Sequence, residues 1–132
     1  MPIVVGYVPT PEGRAALERA IEEARLRRLR LIVVNASSGD ALVDPRFAST
    51  RDWETVRARL AESGIEHETA QQVAVTEPAD QLLRVAHQTN AELIVIGLRP
   101  RTPVGKFIMG SSAQTVLLAA PCPVLAVKAA SH

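Results

Sequence analysis

Hydrophobic positions along this chain fall into two kinds of run that take turns. Residues 3–8, 31–35, 93–96 and 124–127 are short aliphatic stretches with little polar alternation. That is the pattern of strands covered on both faces. Between them, apolar residues recur at helical spacing. Leu17, Ala20, Ile21 and Ala24 stand at i, i+3, i+4 and i+7 and predict a first helix after the Pro9-Thr10-Pro11 break. Trp53, Val56 and Leu60 predict a second, ended by Ser63-Gly64. Ala79, Leu82, Leu83 and Ala86 predict a third, which Pro78 opens from its first turn. Ala113, Val116, Leu117 and Ala120 predict a fourth that begins near Ser111. Residues 65–75 are more polar and alternate in part, as an edge strand does.

The resulting order is βαβαβαβαβ. It predicts an α/β fold: a five-stranded, parallel, doubly wound sheet with helices on both faces. No internal repeat or linker interrupts residues 1–132, so a single domain is expected. In such sheets a ligand binds beyond the carboxyl ends of the strands, where the strand order reverses. The segments expected there are residues 8–10, 35–38, 76–77 and the long loop from Gly97.

Composition narrows the function classes. Hydrophobic residues make up 47% and aromatics only 3%, which calls for an aliphatic core. The net charge of +1, from 15 basic and 14 acidic residues, gives no footprint for nucleic acid or an anionic membrane. No apolar run approaches the roughly 18 residues of a membrane span, and no basic, apolar leader opens the chain. The single cysteine, Cys122, excludes an internal disulfide and suits a reducing compartment, so a cytoplasmic location is expected. Flanked by Pro121 and Pro123, Cys122 is expected to be a small buried packing residue. His67, His87 and His132 have no metal-ligand spacing, so no metal site is predicted. Ser111, Ser112 and Thr102 lack an identifiable His–Asp set, and neither Asp40 nor Glu77 has a partner that makes it a base or a Mg²⁺ ligand. No catalytic residues are predicted, and any hydrolytic turnover is expected to be slow.

The candidate chemistry lies between residues 97 and 112. A strand ending at Gly97, a loop with Arg99, Arg101 and Lys106, and a helix starting at Gly110-Ser111-Ser112 form an arrangement suited to phosphate. Backbone N–H groups at a helix start lack intrahelical partners, and the helix dipole is positive there. Gly97 and Gly110 are expected to let the backbone approach an anion without a Cβ in the way. Ser111 to Gln114 also read as a capping box, with Ser111 at the cap. The loop is not a Walker A element, because Gly105-Lys106 is followed by Phe107, and no GxGxxG is present.

Gly97-Leu98-Arg99-Pro100, nine residues, and then Gly110-Ser111 resembles the G-x2-G-x9-G-[S/T] signature of ATP-binding universal stress proteins. Ala120 through Val127 is similar to that family's typical ending, and Ile3-Val4-Val5-Gly6 to its opening. The resemblance implies strand order 3-2-1-4-5, an ATP-like or other adenine nucleotide as ligand, and a homodimer formed through the last strand, Val124 to Val127. It implies a site in which Ala36 lies against the adenine and Val8 near the ribose. Gly97, Arg99, Arg101, Gly110, Ser111 and Ser112 would hold ribose and phosphates. Two positions depart from the family pattern: Val8 replaces an aspartate, and Pro100 replaces the second glycine. Each removes a hydrogen bond worth roughly 1.5–3 kcal/mol to a charged group. Two readings therefore follow, a stress-response protein that binds an adenine nucleotide and a dimeric interaction protein that has lost the nucleotide.

Overall fold

The computed structural model describes residues 1–37, 48–73, 77–98 and 110–129, with only the backbone of residues 36, 37, 72 and 73. The elements follow the predicted order: β1 (Ile3–Gly6), α1 (Pro11–Arg27), β2 (Leu31–Ser37), α2 (Thr50–Ser63), β3 (His67–Val73), α3 (Pro78–Thr89), β4 (Leu93–Leu98), α4 (Ser111–Ala119) and β5 (Val124–Lys128). The strands form one sheet in the order β3-β2-β1-β4-β5, and every pairing is parallel. Ile3 stands level with Leu31 on one side and Leu93 on the other.

Alternate side chains of the central strands feed two cores. Ile3, Val5, Leu31, Val33, Leu93 and Val95 meet α1 and α2, including Leu17, Ile21, Trp53 and Leu60. Val4, Ile32, Val34, Ile94 and Ile96 meet α3 and Val116 of α4. Burial on both faces explains why these strands read as unbroken aliphatic runs.

The structure shifts several expected details. β1 ends at Gly6 rather than at residue 8, because Val8 enters a tight turn in which Thr10 N–H donates to its carbonyl at 2.8 Å. Leu117 does not join the buried stripe of α4 and is 41% exposed. Only Val116 of that helix is buried, since α4 covers an edge of the sheet and packs mainly on α3. Cys122 is half-buried, packed against the α3/α4 core, with burial pushing its thiol above its ordinary pKa.

Candidate functional site

The direction of winding changes between β1 and β4. The chain steps outward from β1 to β2 and β3, then returns to place β4 on the opposite side of β1. The carboxyl ends of β1 and β4 therefore flank a crevice at the switch point.

The α1 face of that crevice is closed by close packing. A Cβ on Gly13, in the first turn of α1, would lie 1.8 Å from the Val8 carbonyl oxygen. A Cβ on Gly97 would lie 2.5 Å from the carbonyl oxygen of Glu12. The start of α1 is thus wedged against both strand ends, and glycine is what permits it. The missing side chain of Gly97 faces α1, a packing requirement that the sequence expectation did not include.

On the opposite face the crevice holds a cavity of ≈ 140 Å³. Its strand-side walls are Gly6, Val8, Val34 and Ile96; Pro78, Ala79 and Leu82 enclose it from α3. Ser112, Ala113 and Val116 close it from α4. The walls are mostly aliphatic, and no aspartate or glutamate among the described residues lines the cavity. An apolar cavity of about 150 Å³ accepts a benzene-sized molecule. This one therefore has room for one flat ring, with the rest of a larger ligand passing through the mouth.

Four helices start at this end of the sheet, and they differ in their caps. The Thr10 hydroxyl accepts the Gly13 N–H of α1 at 3.1 Å. A reciprocal Ser49–Asp52 capping box closes α2. The two helices that border the cavity have no side-chain cap: Glu77 makes no such bond at α3, and the N-cap of α4 is Gly110. Ser111 is therefore the first helical residue and not the cap, contrary to the capping box read from the sequence. The α3 start carries Glu77 and Asp80, whereas the first turn of α4 has no acid. Of the two, the α4 start is the one whose field favours an anion.

A buried polar network steadies the β1 end. Asn35, 0% exposed, donates from Nδ2 to the Tyr7 carbonyl at 2.8 Å. Its Oδ1 accepts the Ala48 N–H at 2.8 Å and Gln71 Nε2 at 3.1 Å. Gln71 Nε2 also donates to the Ala48 carbonyl at 2.7 Å. Stranding the buried Asn35 amide or the Ala48 N–H costs about 1–3 kcal/mol. The Tyr7 ring points to the opposite face and packs on Trp53, with ring centroids 6.4 Å apart. Burial, followed by the Asp52 carboxylate, raises the Tyr7 phenol above its ordinary 10.0, while Arg14 opposes the rise.

Of the residues singled out from sequence, Val8, Gly97 and Ser112 come together around the cavity. Gly110 and Ser111 begin the helix beside it, with Ser111 exposed. Ala36 is placed only by its backbone, paired with Gln72 of β3. Arg99, Pro100, Arg101, Lys106 and Asp40 lie outside the described residues. The sequence reading missed the cavity walls Val34, Leu82 and Ile96, which carry the same aliphatic signal as any core residue, and it missed Asn35. Among the described residues, no group of three or more His, Cys, Asp or Glu is arranged to hold a metal ion. No described helix is long and apolar enough to cross a membrane.

A parallel sheet in this order, with an apolar slot and an open helix start at its switch point, defines the class as a doubly wound α/β domain. Residues 1–128 match the universal stress protein family, and the chain belongs to that family. A universal stress protein of Mycolicibacterium smegmatis is 51% identical over 126 residues, 96% of either chain. The solved universal stress protein of Archaeoglobus fulgidus superposes with a TM-score of 0.82 at 34% identity, covering 97% of this chain and 98% of that one. A structure of the universal stress protein from the same organism in complex with dAMP gives a TM-score of 0.76 at 30% identity, with the same coverage.

Proposed function

We propose that this chain is a cytoplasmic stress-response protein that binds an adenine nucleotide at the switch point, with the ring in the apolar cavity and the phosphate at the start of α4. The observation that carries this reading is continuity: the aliphatic slot ends at Ser112 and Ala113, in the first turn of the uncapped, acid-free helix. One cavity thus meets both halves of a nucleotide. The dAMP complex of the Archaeoglobus fulgidus relative supports the assignment of ligand class. Calorimetric titration with ATP, ADP, AMP and dAMP, with and without Mg²⁺, tests it. Saturable binding with a dissociation constant below about 1 mM is expected, corresponding to about −4 kcal/mol.

The second reading, an interaction protein without a nucleotide, is favoured by one feature. Val8 lines the cavity at the position where the family pattern has an aspartate, so no carboxylate is available there for sugar hydroxyls. Absence of heat up to millimolar nucleotide would select it.

In either reading we propose a homodimer through β5. This strand occupies a sheet edge, and its Val124, Leu125, Ala126 and Val127 are only half-buried. An apolar edge strand left unpaired invites association, and two-fold pairing with a second copy removes the edge. Sedimentation velocity at micromolar concentration is expected to give the mass of a dimer. A monomer there rules the pairing out.

A further inference from the structure

Gly6 is the last residue of β1 and stands level with Val34 of β2. Along the α3/α4 face of β1 the positions are Val4 and Gly6. The flanking strands carry branched aliphatic residues on this face, Ile32 and Val34 on one side and Ile94 and Ile96 on the other. One position in the middle of that layer therefore has no side chain.

Neither a positive φ nor a backbone contact requires the glycine there. Gly64, with φ 74, is the glycine of positive φ among the described residues. Gly13 and Gly97 are held by backbone atoms 1.8 and 2.5 Å from a would-be Cβ. At Gly6 the nearest atom is the Leu82 Cδ2 methyl at 3.0 Å, the far end of a flexible side chain, followed by Leu82 Cδ1 at 3.7 Å and Ile96 Cγ2 at 3.8 Å. A few tenths of an ångström of movement by Leu82 would admit a methyl group. Glycine in a strand gives up side-chain packing and is entropically unfavourable. What its absent side chain provides is space, since Leu82 and Ile96 are themselves walls of the cavity.

We propose that Gly6 is the specificity-determining residue of the site: its missing side chain opens the inner end of the cavity to the edge of a flat heteroaromatic ring. The proposal rests on the nucleotide reading for the identity of the ring, but not for the existence of the slot. A methyl group added at Gly6 shortens the slot from the sheet side, whereas the start of α4, which would meet a phosphate, is left as it is.

The test compares the parent chain with Gly6→Ala and Gly6→Val, using AMP, free adenine, benzimidazole and ribose 5-phosphate as probes. Calorimetry reads AMP, and ligand-observed NMR reads the smaller molecules. One added carbon in an apolar pocket changes affinity by about tenfold or more. Gly6→Ala is expected to weaken AMP and adenine by that factor and Gly6→Val further, with ribose 5-phosphate unchanged and the urea midpoint no lower than the parent's. If the parent binds benzimidazole or adenine but not AMP, and Gly6→Val abolishes that binding, the nucleotide reading fails while the inference holds. Ring affinity unchanged in a folded Gly6→Ala variant overturns the inference and leaves the nucleotide reading standing. Failure of the parent to bind any ring probe also overturns it. So does a clear loss of stability in Gly6→Ala, which would show that packing alone demands the glycine.

Discussion

Replacing Gly13 with alanine is expected to lower the stability of the fold by about 3 kcal/mol or more, although alanine is the better helix former. The substitution sets two effects against each other. Alanine gains about 1 kcal/mol over glycine within a helix. Its Cβ, however, would stand 1.8 Å from the Val8 carbonyl oxygen and 2.9 Å from Val8 Cγ2. Neither partner can retreat cheaply. The Val8 carbonyl accepts Thr10 N–H at 2.8 Å, and the Thr10 hydroxyl accepts Gly13 N–H at 3.1 Å. Moving the turn breaks one bond, and moving the helix start breaks the other. Gly97→Ala, with its Cβ 2.5 Å from the Glu12 carbonyl oxygen, is expected to act in the same direction. Urea unfolding followed by circular dichroism reads both variants. A Gly13→Ala protein as stable as its parent would mean that α1 does not wedge between the strand ends.

Gly13 also marks the limit of what local pattern reveals. Leu17, Ala20, Ile21 and Ala24 announce α1 because a helix repeats its buried face every 3.6 residues. A glycine in the first turn breaks no such pattern, and the carbonyl that requires it belongs to another element. The strands and both helical layers were legible for the converse reason, whereas the order 3-2-1-4-5 came from the family resemblance alone. Strands buried on both faces must be aliphatic throughout, as at Leu93, Ile94, Val95 and Ile96, and parallel neighbours must be joined by crossovers. Asn35 was legible as a strand end near the crevice but not as the centre of a hydrogen-bond network, since its partners Tyr7 and Ala48 are 28 and 13 positions away. The cavity was hidden differently. Leu82 and Ile96 face a void, yet a side chain facing a void has the same periodicity as one facing a neighbour. The start of α4 was easier to read, because Gly110 and Ser111 at a helix start are a local feature. Even so, a shift of one residue moved the cap from Ser111 to Gly110 and exchanged a capped helix for an open one.

That exchange leads to the second large effect: Gly110→Asp is expected to raise stability slightly while weakening AMP about a hundredfold. Gly110 has φ −67 and ψ 161, a conformation open to any residue, so the substitution introduces no backbone strain. Aspartate at this position caps the helix better than glycine by a few tenths of a kcal/mol, and its charge adds about 0.3–1 kcal/mol against the dipole. The carboxylate satisfies the same free N–H groups that the nucleotide reading gives to phosphate, and it repels the phosphate as well. Each charge-assisted bond lost is worth about 1.5–3 kcal/mol, so one or two account for the expected factor. Gly110→Asn separates the two contributions, because it caps without charge and should weaken AMP by less. Free adenine should bind all three proteins alike, since it carries no phosphate for the carboxylate to displace or repel. A Gly110→Asp protein that is more stable yet binds AMP as its parent does would remove the phosphate from α4. The apolar cavity would then be a ring site alone, and the uncapped helix start a feature of the fold without a ligand.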